Sequence, residues 1–297
     1  MTHETMTTTT PVLLNDLERH RFRGGGTLRI AVFDLDHTVI DSNSITLFAR
    51  TLYNEGFISK RVAGYAIFKE AEFHLRKLLG LDVDPRELRA VAQRAIRGWD
   101  KEAVDKLVRE RAEAILVPAI NPRAEEAIKY ELADKDLVII MTASPKVLVR
   151  PLADYLHIPL VIGSTAQVDA NGKYQDIDFY CYGEEKVFGL TLLARELGRR
   201  IDLGGSSAYG DSDSDFPLLK HFGQPHVING SRRMQRVART SGWDSVTWDE
   251  SSSQSIAPKL MIAGGAIATG LTYVAASRRA VKNSGLAIGS VADGMVS

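Results

Sequence analysis

Apolar residues in this chain occur as short unbroken runs, as one long stretch with helical period, and as an uncharged segment near the end. Ile30–Phe33 is the first short run. Its length and β-branched content are those of a strand buried on both faces, and it stops at two aspartates, Asp34 and Asp36. Residues 137–141 make a second buried strand, ending in Thr142-Ala143-Ser144. Residues 206–209 make a third, which runs into Gly210-Asp211-Ser212-Asp213-Ser214-Asp215. Further short strands are predicted at 159–162 and 226–228, and Asn171-Gly172 reads as a hairpin turn joining 165–168 to 173–177.

Between residues 43 and 117 no strand pattern interrupts the helical one. Residues 60–81 carry Val62, Tyr65, Ala66, Phe68, Phe73, Leu75, Leu78 and Leu79, the pattern of a helix apolar over much of its circumference. Asp84-Pro85-Arg86-Glu87 reads as a helix start, with a capping Asp, a proline at the first position and a Glu at the third. Alternation resumes at Asn121-Pro122, which opens a helix to about residue 133. Residues 187–197 form another helix, behind Gly183-Glu184-Glu185-Lys186. Consecutive α/β units alternate strand and helix every few tens of residues, so the long helical stretch reads as an all-helical subdomain inserted after the first strand of an α/β fold.

The two ends differ from this core. Residues 1–28 are rich in threonine, contain Pro11 and a Gly24-Gly25-Gly26 run, and lack the apolar centre of a signal peptide; they read as a mostly flexible leader. Residues 251–255 are linker-like, and residues 260–276 are uncharged and rich in Ala and Gly. As a helix that segment would span roughly 25 Å, slightly less than a bilayer's hydrocarbon core. Arg278, Arg279 and Lys282 follow it, and Gly264/Ala268 and Ala266/Gly270 offer small-residue faces for helix pairing. Association with a membrane surface, pairing between subunits and docking on the protein all stay open for it.

Composition removes several classes. Lys+Arg and Asp+Glu both total 37, a net charge of zero that argues against general nucleic-acid binding. Cys181 is the only cysteine, which excludes an internal disulfide and a cysteine-rich zinc site; a cytoplasmic location is the simplest.

The candidate chemistry lies at the ends of separate elements: Asp34 with Asp36, Thr142, Lys186, and Asp211 with Asp215. In an open parallel sheet the carboxyl ends of strands are where ligands bind. Carboxylate oxygens suit Mg²⁺, commonly held by one or two protein carboxylates together with a phosphate and waters. The cation, Lys186 and Thr142 would neutralise and hydrogen-bond phosphoryl oxygens, leaving one aspartate to attack phosphorus. Asp211, Asp213 and Asp215 open like a calcium loop, but Phe216 at the sixth position and Phe222 at the twelfth exclude an EF-hand. His37 reads as a loop residue shaping access to phosphate, His74 as a packing or solvent residue, and Cys181 as a small core residue.

FDLDHT at residues 33–38, the Thr142 strand end, Lys186 and GDSDSD at residues 210–215 stand in the order of the four motifs of the haloacid dehalogenase (HAD) superfamily, and the helical insertion resembles its type-1 cap. The AYGDSDSDFPLL ending resembles the branch that includes phosphoserine phosphatase. The resemblance implies a Rossmann-like parallel-sheet core at residues 29–43 and 119–250, a cap at 44–118, and a linker with apolar segment at 251–297. It makes Asp34 the nucleophile that forms an aspartyl-phosphate, and Asp36 the acid for the leaving alkoxide and then the base for water. Thr142 would hold a phosphoryl oxygen, and Lys186 would neutralise the phosphate and orient Asp34. Asp34, the main-chain carbonyl of Asp36 and Asp211 would ligate Mg²⁺, with Asp215 behind them or as a further ligand. Thr38, Asn43 and Ser144 fall on the substrate side.

Asn43 departs from the family pattern, standing where phosphoserine phosphatases have a glutamate for the substrate's amino group. Phosphoserine is therefore one candidate among small phosphorylated metabolites, beside histidinol phosphate, a sugar or polyol phosphate and a lysophospholipid. Two other classes share part of the pattern: a phospho-accepting signalling receiver, which is uncapped and lacks the Asp-x-Asp, and a catalytically idle, membrane-associated scaffold, although no motif residue is lost.

Overall fold

The computed structural model describes residue 11 and residues 13–58 and 84–248. Its strands are β1 (Thr27–Leu28), β2 (Ile30–Phe33), β3 (Leu137–Pro145), β4 (Leu160–Val168), β5 (Tyr174–Phe179), β6 (Arg200–Ile201), β7 (Ser207–Gly210), β8 (Gln224–Ile228) and β9 (Asp244–Val246). β1 and β6 pair separately, and the other seven form one sheet in the order β5-β4-β3-β2-β7-β8-β9. All neighbours in that sheet are parallel except β4 and β5. The chain builds β3 and β4 on one side of β2, then returns to build β7, β8 and β9 on the other. This reversal opens a crevice beyond the carboxyl ends of β2 and β7.

β2 is buried on both faces because its side chains alternate between two cores. Ala31 and Phe33 join the cluster that contains Ile140, Leu148 and Val149, while Ile30 and Val32 join the cluster that contains Met141, Leu190 and Leu193. Phe33, Tyr209 and His226 are cross-strand partners in one row. Their rings stack, Phe33 on Tyr209 at 4.2 Å and Tyr209 on His226 at 4.4 Å. The Tyr209 hydroxyl donates to buried Glu131, on helix Pro122–Asp134, at 2.6 Å. The strand ends that carry the acids thus rest on a stacked aromatic row whose polar tip is satisfied.

The described part of the insertion is helical, with helices Ser44–Asn54, Pro85–Ile96 and Lys101–Leu116. Asp84 caps the second, with Pro85 at its first position, as the sequence predicts. Lys101–Leu116 buries Val104, Leu107, Val108, Ala112 and Leu116 in the Phe33 cluster. The apolar stretch at residues 60–81, with Tyr65, Phe68, Phe73 and His74, lies outside the described residues.

Three features differ from the sequence reading. The strands predicted at 159–162 and 165–168 are one strand, β4, because Gly163 does not break it; a Cβ there would stand 2.8 Å from the Lys146 backbone, so the glycine permits a close approach. β9, three exposed residues with no apolar run, carried no signal. The leader is ordered from Leu13 onward. Leu13 and Leu14 are buried, and helix Asp16–Phe22 starts with a capping box between Asn15 and Glu18. Glu196 accepts the N–H groups of Leu13 and Leu14 at 2.8 and 3.1 Å, and the Lys146 ammonium donates to the Leu13 carbonyl at 2.7 Å.

The compact unit of the described residues ends at Trp248. Residues 249–297, with the apolar segment 260–276, lie outside the described residues. Among the described residues no helix is long and apolar enough to cross a membrane.

Glu196→Ala removes the acceptor of two backbone N–H groups at the entrance of the chain. An urea titration is expected to show a loss of about 1–3 kcal/mol, with the unfolding slope unchanged. A loss below about 0.5 kcal/mol, the range of ordinary surface substitutions, would show that the segment at Leu13 contributes nothing to stability.

Candidate active site

Asp34 is the first residue beyond β2, and its N–H donates to the Tyr209 carbonyl of β7 at 2.9 Å, which extends the ladder by one rung. Lys186 is the third residue of helix Glu184–Leu197, one residue earlier in that helix than the predicted start at 187. Its ammonium is 2% exposed and donates to Asp34 Oδ1 at 2.6 Å and to Asp215 Oδ1 at 2.5 Å. Asp215 is buried and has its other oxygen occupied: the Ser212 N–H and hydroxyl donate to Oδ2 at 3.1 and 2.8 Å. Gly210 makes room for it, since a Cβ at that position would lie 2.6 Å from Asp215 Cβ.

Asp36 is held from a different direction. The N–H of Ser44, at the start of the first inserted helix, donates to Oδ1 at 2.7 Å. The Ser144 hydroxyl and the Asn43 amide reach Oδ2 at 3.3 and 3.4 Å, and the Ser44 and Ser144 hydroxyls share a hydrogen bond of 2.5 Å. Asn43 is also the cap of that helix, accepting the Thr46 N–H at 3.2 Å. Thr142 is buried on β3 and accepts the Ser144 N–H at 3.1 Å. Thr38 is buried at 1% exposure, and its hydroxyl has no hydrogen-bond partner among the described residues. His37 lies in the left-handed region, φ 62°, at the turn out of the strand. Of the residues singled out from sequence, Asp34, Lys186, Asp211 and Asp215 form one cluster, whereas Asp36, Asn43 and Ser144 form a second beside it.

Burial raises the Asp34 pKa well above the ordinary value; Lys186 opposes this, and the carboxylates of Asp215, Asp211 and Asp36 add to it. Burial also raises the Asp36 pKa, against the hydrogen bonds from Ser44 and Ser144 and the charge of His37. For Lys186 burial alone would lower the pKa, but Asp215 and Asp34 outweigh it and hold the group as an ammonium. Cys181 is fully buried and its thiol is pushed up to about 12, which fits a core residue.

Asp34, Asp211 and Asp215 each present a carboxylate oxygen, all within 4.8 Å of one another. Three carboxylates around a single ammonium leave excess negative charge on hard oxygen donors. Such a set fits a divalent cation.

Ser44 and Ser212 escaped the sequence reading. Ser44 had a signal available, because the first N–H groups of a helix lack internal partners and the helix begins eight residues after Asp36. Ser212 lay inside the acidic motif, where attention falls on the aspartates.

An acid-lined crevice at the switch point of a parallel sheet, with a buried lysine between its carboxylates, is the site of an α/β enzyme. The chain belongs to the haloacid dehalogenase-like hydrolases, whose family model matches residues 31–220. A relative from Streptomyces azureus, described as an inhibition of morphological differentiation protein, is 32% identical over 216 residues, covering 72% of this chain and 76% of its own. A probable phosphatase of Mycobacterium tuberculosis is 28% identical over 262 residues, covering 84% and 89%. The crystal structure of a protein with unknown function from Bordetella pertussis Tohama I shares the fold, with a TM-score of 0.63 at 22% identity over 75% of this chain and 99% of that one.

Lys186→Met leaves Asp34 and Asp215 facing each other without their cation. In metal-free buffer near neutral pH this is expected to cost about 3–5 kcal/mol of stability. The deficit should shrink as pH falls, because protonating either carboxyl group relieves the repulsion. A deficit that stays constant with pH, read from urea unfolding across the acid range, would mean that the ammonium does not bind these two charges together.

Proposed function

We propose that this enzyme is a Mg²⁺-dependent phosphatase that hydrolyses a small organic phosphomonoester through an aspartyl-phosphate on Asp34. The observation that carries the reading is the buried Lys186 ammonium bound to Asp34 and Asp215 at 2.6 and 2.5 Å, at the crevice where the family's chemistry would sit. Membership of a hydrolase family and similarity to a probable phosphatase support it.

Asp34, Asp211 and the main-chain carbonyl of Asp36 would hold Mg²⁺, braced by Asp215, and the cation would supply charge neutralisation at the phosphoryl oxygens. In the first step an oxygen of Asp34 bonds to phosphorus as the bond to the leaving oxygen breaks. Asp36 gives its proton to that oxygen, and the burial that raises its pKa favours the protonated form this step needs. Asp36, now ionised, takes a proton from water as the water attacks phosphorus and the bond to Asp34 breaks. Inorganic phosphate leaves, and both aspartates return to their starting states. Lys186 balances charge beside Asp34, and Thr142, whose oxygen accepts the Ser144 N–H, keeps its own proton for a phosphoryl oxygen.

Asn43 is neutral and committed to the helix cap and to Asp36, so it supplies no charge for a substrate amino group. Phosphoserine, histidinol phosphate, a sugar or polyol phosphate and a lysophospholipid therefore stand as alternatives. The inserted helices and Asp36 weigh against a signalling receiver, and the full set of site side chains weighs against an idle scaffold.

Phosphate release from a panel of phosphomonoesters is expected to require Mg²⁺ and to stop with EDTA. Asp34→Asn should abolish it, and Asp36→Asn should lower kcat by about 10²–10⁴-fold. Full activity of Asp34→Asn on the preferred substrate would exclude the covalent route.

The raised Asp34 and Asp36 pKa values also set a pH dependence. At these two groups the folded protein binds more protons than the unfolded chain above the unfolded carboxylate value of about 3.9, so their contribution to metal-free stability falls as pH rises through the raised folded values. Mg²⁺ binding should release protons, and its calorimetric affinity should rise with pH on the acid side of neutrality. An affinity independent of pH there would show that the cation is not held by these carboxylates.

A further inference from the structure

Two buried serine hydroxyls meet beside Asp36, and the reaction as written above uses neither. Ser44 is the first residue of helix Ser44–Asn54 and is 0% exposed; Ser144 lies near the end of β3 and is 3% exposed. Their oxygens are 2.5 Å apart although the residues are a hundred positions apart in the chain. The direction of each bond follows from the protons available. A carboxylate only accepts, so the Ser144 hydroxyl donates its single proton to Asp36 Oδ2 at 3.3 Å and accepts from Ser44. The Ser44 N–H donates to Asp36 Oδ1 at 2.7 Å, which closes a ring of three residues around the carboxyl group.

An irregularity of the strand brings Ser144 there. β3 pairs Thr142 with Gly163 and Pro145 with Ser164, so three steps along β3 match one along β4. Such a bulge re-aims a side chain. It is braced from behind, because the Ser164 hydroxyl donates to the Ala143 carbonyl at 2.6 Å and accepts the Cys181 N–H at 3.1 Å. The two oxygens of Asp36 are then held unequally. Oδ1 has the short bond from the Ser44 N–H, whereas Oδ2 has the two long ones, from Ser144 and from the Asn43 amide at 3.4 Å. The weaker hold leaves Oδ2 as the oxygen that can carry a transferable proton, and Ser144 sets its direction.

We propose that Ser44 and Ser144 are positioning residues for protonation of the leaving group: the pair aligns Asp36 Oδ2 with the leaving oxygen, and it makes that alignment depend on helix Ser44–Asn54 being seated against β3. This rests on the reading of Asp36 as the acid for the leaving alkoxide. As the bond from Asp34 to phosphorus forms and the bond from phosphorus to the leaving oxygen breaks, the proton passes from Oδ2 to that oxygen. The Ser144 proton directed at Oδ2 keeps Asp36 from spending its own proton on Ser144, and the proton from Ser44 holds Ser144 in that sense. The bond between the two hydroxyls would by itself join helix to strand; the closing of the ring on Asp36 ties that joint to the chemistry.

The test compares kcat/KM, which reads the steps up to release of the alcohol, for two classes of ester. 4-Nitrophenyl phosphate releases a stable phenolate that leaves without a proton, whereas phosphoserine, histidinol phosphate and glycerol phosphate release alkoxides that need one. Ser144→Ala and Ser44→Ala, each checked by thermal melting, are expected to lower kcat/KM for the fastest of the three alkyl esters about 10–100-fold, a misalignment loss smaller than removal of the acid itself. For 4-nitrophenyl phosphate the change should stay below about twofold. The two variants approach the pair from opposite sides, so if one fails to fold the other carries the test. Ser144→Thr keeps the hydroxyl and should keep the alkyl-ester rate. Equal losses on both classes of ester, no loss on either, or a loss in Ser144→Thr as large as in Ser144→Ala would each overturn the proposal. If the wild type turns over no ester, or Asp34→Asn stays fully active, it is the proposed function that fails. The crystal structure of Ser44→Ala/Ser144→Ala then decides the positioning without a rate: the Asp36 carboxyl group is expected to turn out of its wild-type orientation, and an unmoved carboxyl group would overturn the role of the pair.

Discussion

The arrangement of this protein depends on one buried ammonium. Lys186 is 2% exposed, and removing a lysine from water costs several kcal/mol unless carboxylates meet it at close range. Asp34 and Asp215 do so, from positions 152 and 29 residues away in the chain. The position is a poor one for helix stability, because a cation in the first turn opposes the helix dipole, and Glu184 and Glu185 beside it are the residues that favour a helix start. The lysine is therefore placed by the site and not by its own helix. Its single charge does not balance Asp34, Asp211 and Asp215; burial raises the Asp34 pKa, and the carboxylates of Asp215 and Asp211 add to that rise against the opposing Lys186.

Holding those charges in register requires a stiff platform. The order of the sheet brings the ends of β2 and β7 together, and the row Phe33, Tyr209 and His226 stacks one residue below them. Tyr209 is tied through its hydroxyl to Glu131, so the row is anchored to a helix as well as to its strands. Close packing of this kind has low compressibility and resists deformation, which suits a site whose groups must stay within hydrogen-bond distance of one another.

Much of this was legible because its signals are local. Ile30–Phe33, the 137–141 run and residues 206–209 are apolar runs that stop at polar residues, and each became a strand ending at the site. Asp84-Pro85 and Asn121-Pro122 announced helix starts through the chemistry of their own side chains. What failed depends on partners far away in sequence. Leu13 and Leu14 are ordered by Glu196 and Lys146, which a threonine- and glycine-rich stretch gives no reason to expect. Gly163 looks like punctuation until the Lys146 backbone is seen against it. The hydrogen-bonded group formed by Ser144 with Asp36 and Ser44 is likewise a pairing across a hundred residues that no local pattern encodes.

The edges of the sheet explain how the insertion is seated. β5 is an edge strand, and an open edge invites pairing with another chain. Here the insertion occupies part of it: Gly98 donates its N–H to the Tyr174 carbonyl at 2.8 Å, Tyr174 returns a bond to the Trp99 carbonyl at 2.9 Å, and Lys101 donates to Gly172 at 2.9 Å. Asp176 binds Gln93 and Arg97 at 2.6 and 3.1 Å, and Arg89 reaches the Ile177 carbonyl at 2.5 Å. Among the described residues the far edge, β9, has no such cover and is instead short and exposed, with Asp244 paired to His226. The insertion is therefore attached both through the chain segments that enter and leave it and through the hairpin. Ser44, at its first helical residue, carries that attachment to Asp36, so the helices that would select a substrate and the carboxyl group that would protonate its leaving oxygen share one hydrogen-bonded frame.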